Sequence, residues 1–91
     1  MENINNIRRE IDLIDEELVK LFEKRLELAL KVSEYKKEKS LPIFDSNRET
    51  EVINKAKSRL NNPQFEIYLE EFFTDIMEIS KKLQYHNSKN K

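Results

Sequence analysis

Arg25 is the residue that least fits its place in this sequence. Ile4, Ile7, Ile11, Ile14, Leu18, Leu21, Leu28, Val32 and Tyr35 recur in steps of three and four, and Arg25 stands among them in register. Two readings of a cation on such a seam stand side by side. It snorkels out or pairs with a carboxylate such as Glu17 or Glu27. Or it holds an anionic ligand, because a buried guanidinium without a partner is costly. Lys36 follows eleven residues later. At 100° per residue that is about three turns, so Lys36 lies on the same face, about 16 Å along the axis. Two long cations can reach an anion between them, over a floor of Ala29 and Val32. Taken alone, Lys36 in Lys36-Lys37-Glu38-Lys39 also reads as a solvated lysine. Arg8 lies seventeen residues before Arg25, about 25 Å away along one helix. It can join Arg25 on a small ligand only from an antiparallel second copy. Otherwise, with Arg9 beside it, it is a surface charge.

Ser80 and Gln84 are four apart, hence on one helical face. They replace apolar residues at the end of the stripe begun by Phe73 and Met77. Either they outline a small polar pocket, or the helix is emerging into solvent. Ser46 with Glu49 makes an S-x-x-E capping box, with Asp45 as the alternative cap. That box alone accounts for Glu49, and Arg48 beside it reads as a surface charge. The chain has no cysteine, and its single histidine, His86, is in a polar tail, so no nucleophile has a base beside it. An enzyme made of these residues works without covalent or histidine acid–base catalysis. It works by binding, orientation and fixed charge.

The elements that must position these residues are helical. The 91 residues include no glycine, no tryptophan and two prolines, with 38% charged and 37% apolar residues. Without glycine there is no P-loop, dinucleotide fingerprint or nucleophile elbow. Without cysteine there is no disulfide framework or thiolate zinc site, and no metal is expected. A net charge of −1, from 17 basic and 18 acidic residues, argues against nucleic acid as a partner. No apolar run approaches the roughly 20 residues of a membrane span. Met1–Asn6 has no basic region followed by an apolar core, so no secretory signal is expected and the cytoplasm is the expected compartment. The seam predicts one helix over about 3–39, ended by Pro42. Ser40–Phe44 is expected to pack down as a short apolar linker. A second helix is expected over about 46–60, with Val52, Ile53, Ala56 and Leu60 on one face. A third is expected over about 64–85, followed by a frayed tail, 86–91. The first helix, at about 52 Å, outreaches a compact domain of this size, so a second copy is expected to cover its seam.

In this order and spacing the residues resemble one family. Ile7-Arg8-Arg9-Glu10-Ile11-Asp12-Leu13-Ile14-Asp15 is followed by Arg25, Leu28-Ala29, Val32 and Tyr35-Lys36. Then come Pro42-Ile43-Phe44-Asp45, Arg48-Glu49, Phe73, Ile76-Met77, Ser80 and Gln84. Together they are similar to the all-helical chorismate mutases, from about Ile4 to Gln84. The resemblance implies an all-α fold with three helices per protomer, in an intertwined homodimer, and residues 1–91 as a single chorismate mutase domain. It implies the Claisen rearrangement of chorismate to prephenate, in phenylalanine and tyrosine biosynthesis, with no cofactor.

By the same resemblance, Arg25 and the partner's Arg8 grip the two carboxylates. Lys36 and Gln84 donate to the ether oxygen of the breaking bond. Glu49 accepts from the ring hydroxyl, with the backbone near Asp45 assisting. Arg48 and Ser80 complete the contacts around the ring carboxylate. Ser40 stands where many relatives have glycine, which touches turn geometry and not the ligand shell. A monofunctional chain without a regulatory or dehydratase domain is the expectation. The rivals are an isochorismate–pyruvate lyase and a non-catalytic helical dimer or regulatory module.

Gln84 is an amide and donates without first taking up a proton. The rate of chorismate loss is therefore expected to be flat between mildly acidic and neutral pH. A steep loss on approaching neutrality in a pH–rate profile would contradict this.

Overall fold

The computed structural model describes residues 3–89. Its elements are helices α1 (Ile4–Glu38), α2 (Ser46–Ser58) and α3 (Glu66–Lys89), with a single 3-10 turn, Pro63–Phe65, before α3. Among the described residues there is no strand. The all-helical, three-helix expectation is met. No helix among these residues is long and apolar enough to cross a membrane.

α1 is 35 residues long and starts cleanly. The Asn3 side chain accepts from the Asn5 amide at 2.8 Å, satisfying one of the donors a helix start leaves unpaired. Its end is a Schellman motif. The Leu41 amide bonds the Lys36 carbonyl at 2.7 Å, and the Ser40 amide bonds the Lys37 carbonyl at 3.2 Å. That geometry puts Ser40 at φ 56°, in the left-handed region. A residue with a Cβ is disfavoured there.

α2 begins one residue earlier in function than the capping box predicts. Asp45, not Ser46, is the N-cap, and its carboxylate accepts from the Arg48 amide at 3.1 Å. Glu49 is thus the fourth helical residue and is released from capping. The second connection is capped by Asn62, whose side chain accepts from the Gln64 amide at 3.0 Å, with Pro63 in the first turn. α3 then continues to Lys89, past the expected end at 85. No breaker stands in this stretch, and the Asn87 amide donates to the Glu34 carboxylate of α1 at 3.1 Å. Residues 86–89 are therefore helical, and 90–91 of the expected tail lie outside the described residues.

α3 is the element against which both α1 and α2 lie. The apolar core is thin: Ala29, Ala56 and Met77 are its buried members. The α1 seam is largely uncovered within the chain, with Leu18 at 44%, Leu21 at 59% and Leu28 at 53% exposure. The linker is only partly packed down, since Ile43 is half-buried while Leu41 and Phe44 are exposed. The molecule measures 57 × 26 × 15 Å, with a radius of gyration of 16.5 Å, against about 12 Å for a compact chain of this length.

Glycine at position 40 removes the Cβ penalty and gives back part of it as unfolded-chain entropy. Ser40→Gly is therefore expected to raise stability by about 0.5–1 kcal/mol, read as a higher urea midpoint at unchanged slope. An unchanged or lower midpoint would show that the αL turn is not strained.

Candidate active site

One cleft of ≈ 290 Å³ opens between the three helices. α1 supplies its floor, Leu28, Ala29 and Val32, and two of its cations, Arg25 and Lys36. These come together because the α1 seam turns this face towards α3. α3 supplies Met77, Ser80, Lys81 and Gln84 from its inward stripe. The start of α2 supplies Asp45, Arg48 and Glu49. Of the eight residues singled out from the sequence, seven line this cleft. Arg8 is the exception: it is exposed in the N-terminal half of α1 and does not line the cleft of its own chain.

Arg25 reaches across to α3. Its Nη1 donates to Ser80 Oγ at 3.0 Å, and Ser80 Oγ in turn donates to the Ile76 carbonyl at 2.9 Å. The hydroxyl has one hydrogen, and giving it to Ile76 turns a lone pair towards the guanidinium. No carboxylate pairs with Arg25 among the described residues; Glu17 is engaged by Lys20 instead. Desolvation by burial, and then the nearby charge of Arg48, pull the Arg25 pKa below its ordinary value. Both causes disfavour the cation, and an anion in the cleft would relieve both.

Lys36 is held by the backbone. Its Nζ donates to the Ile43 carbonyl at 2.7 Å, leaving two further donors on the ammonium. It too has no carboxylate partner among the described residues. The Gln84 residue is buried, and its Oε1 has no hydrogen-bond partner among the described residues. The cleft thus has two unneutralised cations and a buried amide.

The other charged residues of the cleft are internally paired. Glu49 Oε2 meets Lys81 Nζ at 2.9 Å, and Lys81 also meets Glu78 at 2.7 Å. Those two hydrogen bonds, Glu78 first, raise the Lys81 pKa. The ammonium lies 4.7 Å from the Phe44 ring centroid. Asp45 is committed to its cap, and Arg48 pairs with Glu51, which Lys55 also approaches at 3.5 Å. Lys81 was not legible from the sequence. In Ser80-Lys81-Lys82 it looks solvated, and only the approach of α2 to α3 reveals its partner.

The lining suits a small ligand with anionic groups for Arg25 and Lys36 and a hydroxyl for Glu49. No nucleophile stands beside a base in the cleft, and no cluster of metal-ligating side chains exists among the described residues.

The sequence model of chorismate mutase type II matches residues 7–85. The chain belongs to that family. The matched range takes in every residue lining the cleft, and Arg8 as well. Among chorismate mutase relatives, the chain is 43% identical over 61 residues to a bifunctional chorismate mutase/prephenate dehydratase of Aquifex aeolicus, covering 67% of this chain and 17% of that protein. It is 43% identical over 53 residues to a T-protein of Haemophilus influenzae, covering 58% of this chain and 14% of that protein. The chain therefore spans less than a fifth of the length of these two relatives. A solved structure of a conserved hypothetical protein from Pyrococcus furiosus is also similar. It is 40% identical, with a TM-score of 0.74, over 89% of this chain and 93% of that one.

A buried acceptor without a partner costs stability, and an apolar group of similar shape does not. Gln84→Met is therefore expected to leave the protein as stable as the parent or up to about 1 kcal/mol more so, measured by urea unfolding. A loss of more than about 1 kcal/mol would show that Oε1 is satisfied in the folded protein.

Proposed function

We propose that this chain is a chorismate mutase that rearranges chorismate to prephenate in aromatic amino acid biosynthesis. The observation that supports it most is the convergence of Arg25 and Lys36, both without a carboxylate partner, with buried Gln84 in one cleft of a chain of this family. The substrate is a dicarboxylate with a ring hydroxyl and an ether bridge. In the reaction the ether C–O bond breaks as a C–C bond forms, and all electrons and protons stay within the substrate. Nothing in the cleft needs to act as nucleophile or base.

Catalysis in this reading has two parts. Arg25 binds a carboxylate in a charge-assisted, fork-like contact, and its tether to Ser80 fixes the direction of the fork. Held so, the substrate is kept in its chair-like reactive conformer. Lys36 and Gln84 donate to the ether oxygen, which gains negative charge as the bond breaks. Lys36 is already oriented by the Ile43 carbonyl and keeps donors to spare. Glu49 accepts from the ring hydroxyl. Asp45 and Arg48 close the same end, with Ser80 and Arg48 around the ring carboxylate.

The second carboxylate needs another cation, and this reading takes it from a second copy. Arg8 of the partner subunit would reach the cleft if two α1 helices pair antiparallel. The uncovered α1 seam supports an intertwined homodimer, because burying such apolar side chains stabilises by about 25 cal/mol per Å².

The test is loss of chorismate ultraviolet absorbance on adding purified protein alone, with product identification. Prephenate is the expected product. Lys36→Ala is expected to cut turnover about 10²–10³-fold while circular dichroism and oligomeric state stay those of the parent. No turnover, or a Lys36→Ala variant as active as the parent, sinks the proposal. Pyruvate release from isochorismate in the same assay would identify the lyase instead.

A further inference from the structure

We propose that Lys81 is a positioning residue that holds the Glu49 carboxylate in place to receive the substrate's ring hydroxyl. This rests on the chorismate mutase reading of the cleft, and it concerns a residue that reading does not use.

Three features of the structure lead to it. First, Glu49 has lost its local reason to be where it is. Asp45 caps α2, so the Glu49 side chain is not folded back on the helix start. Second, the only partner the structure gives Glu49 among the described residues is Lys81, at 2.9 Å and from another helix. The contact is through Oε2, which leaves Oε1 as an acceptor. Third, the Lys81 ammonium is itself fixed from three sides. Glu49 holds it from α2, Glu78 from its own helix at 2.7 Å, and the Phe44 ring from the connection between α1 and α2. Its side chain is 17% exposed, against 55% for Glu78. A lysine with that many constraints is a rigid anchor, whereas a lone glutamate four residues into a helix would sample several rotamers.

Partly exposed ion pairs contribute little to folding. The consequence of losing this one is therefore expected in substrate binding. The hydroxyl contact is remote from the breaking bond, so it acts alike on bound substrate and transition state and should appear in KM. Lys81 also adds positive charge to a site for a dianion, and that contribution would not pass through Glu49. A double-mutant cycle separates the two.

The experiment is steady-state chorismate kinetics on the full chain, with Lys81→Met, Lys81→Arg, Glu49→Gln and the Lys81→Met/Glu49→Gln double variant. Lys81→Met is expected to raise KM by about tenfold, with kcat within about threefold of the parent. Lys81→Arg is expected to restore most of the loss. In the Glu49→Gln background, Lys81→Met is expected to add nothing. Lys81→Gln repeats the test should the methionine variant prove poorly folded by circular dichroism. A full KM effect of Lys81→Met on top of Glu49→Gln overturns the inference, because the charge then acts on substrate directly. Parent-like KM in Lys81→Met overturns it while leaving the activity reading intact. A parent protein that does not turn over chorismate removes both.

Discussion

A helix of 35 residues in a chain of 91 cannot be covered by the rest of that chain. Only the 24 residues of α3 lie against it, along part of one side, and the 13 of α2 lie against α3. The rest follows from this shortfall. The buried apolar core reduces to Ala29, Ala56 and Met77, and side chains as large as Leu18 and Leu21 stay open to solvent. Stability of a domain this size is a small difference between large terms. An uncovered seam of this length makes a second copy the natural source of the missing burial, and the proposed dimer gives that burial a catalytic consequence through Arg8.

The same helix sets the electrostatics of the cleft. Arg25 and Lys36 share one face of α1, and each is held by a neutral oxygen, Ser80 Oγ and the Ile43 carbonyl, in place of a carboxylate. Neutral acceptors fix direction without cancelling charge. The other charged side chains of the cleft are arranged the opposite way: Glu49 with Lys81 and Arg48 with Glu51 are charge-compensated. A ligand entering this site meets both uncancelled positive charge and an oriented, neutralised acceptor. That combination matches a carboxylate-bearing substrate with a hydroxyl on its ring. It also suits a reaction in which charge builds up on one oxygen and no proton moves.

Burial and polarity pull against each other at Gln84. An apolar residue there would complete the stripe of Phe73, Ile76 and Met77. The amide instead leaves its oxygen buried without a partner among the described residues. Arg25 shows the same tension, its charge disfavoured by burial and by Arg48. At both residues a polar group is buried without the partner that would offset its desolvation.

Much of this was legible in the sequence. Apolar spacing in threes and fours made α1 visible, because helical periodicity is a local property of the chain. Pro42 and Pro63 marked the breaks, since proline excludes helix from the residue before it. Arg25, Ser80 and Gln84 stood out because each breaks an apolar stripe. Whether the Arg25 seam position meant a snorkelling cation or a ligand site was not decidable there, since that depends on what faces it from α3.

Tertiary structure decided the pairings. Asp45 and Ser46 are adjacent candidates for one cap, and the structure has Asp45 extended as the cap and Ser46 already helical. Glu49 read as part of a capping box until that choice released it. Lys81 breaks no apolar stripe, and only the approach of α2 to α3 gives it Glu49 as a partner. Beyond the expected end of α3, Asn87 meets Glu34 of α1. Each of these depends on residues far apart in sequence being brought within about 3 Å, the range of a hydrogen bond. A one-dimensional pattern specifies which face a side chain occupies. It does not specify what stands opposite.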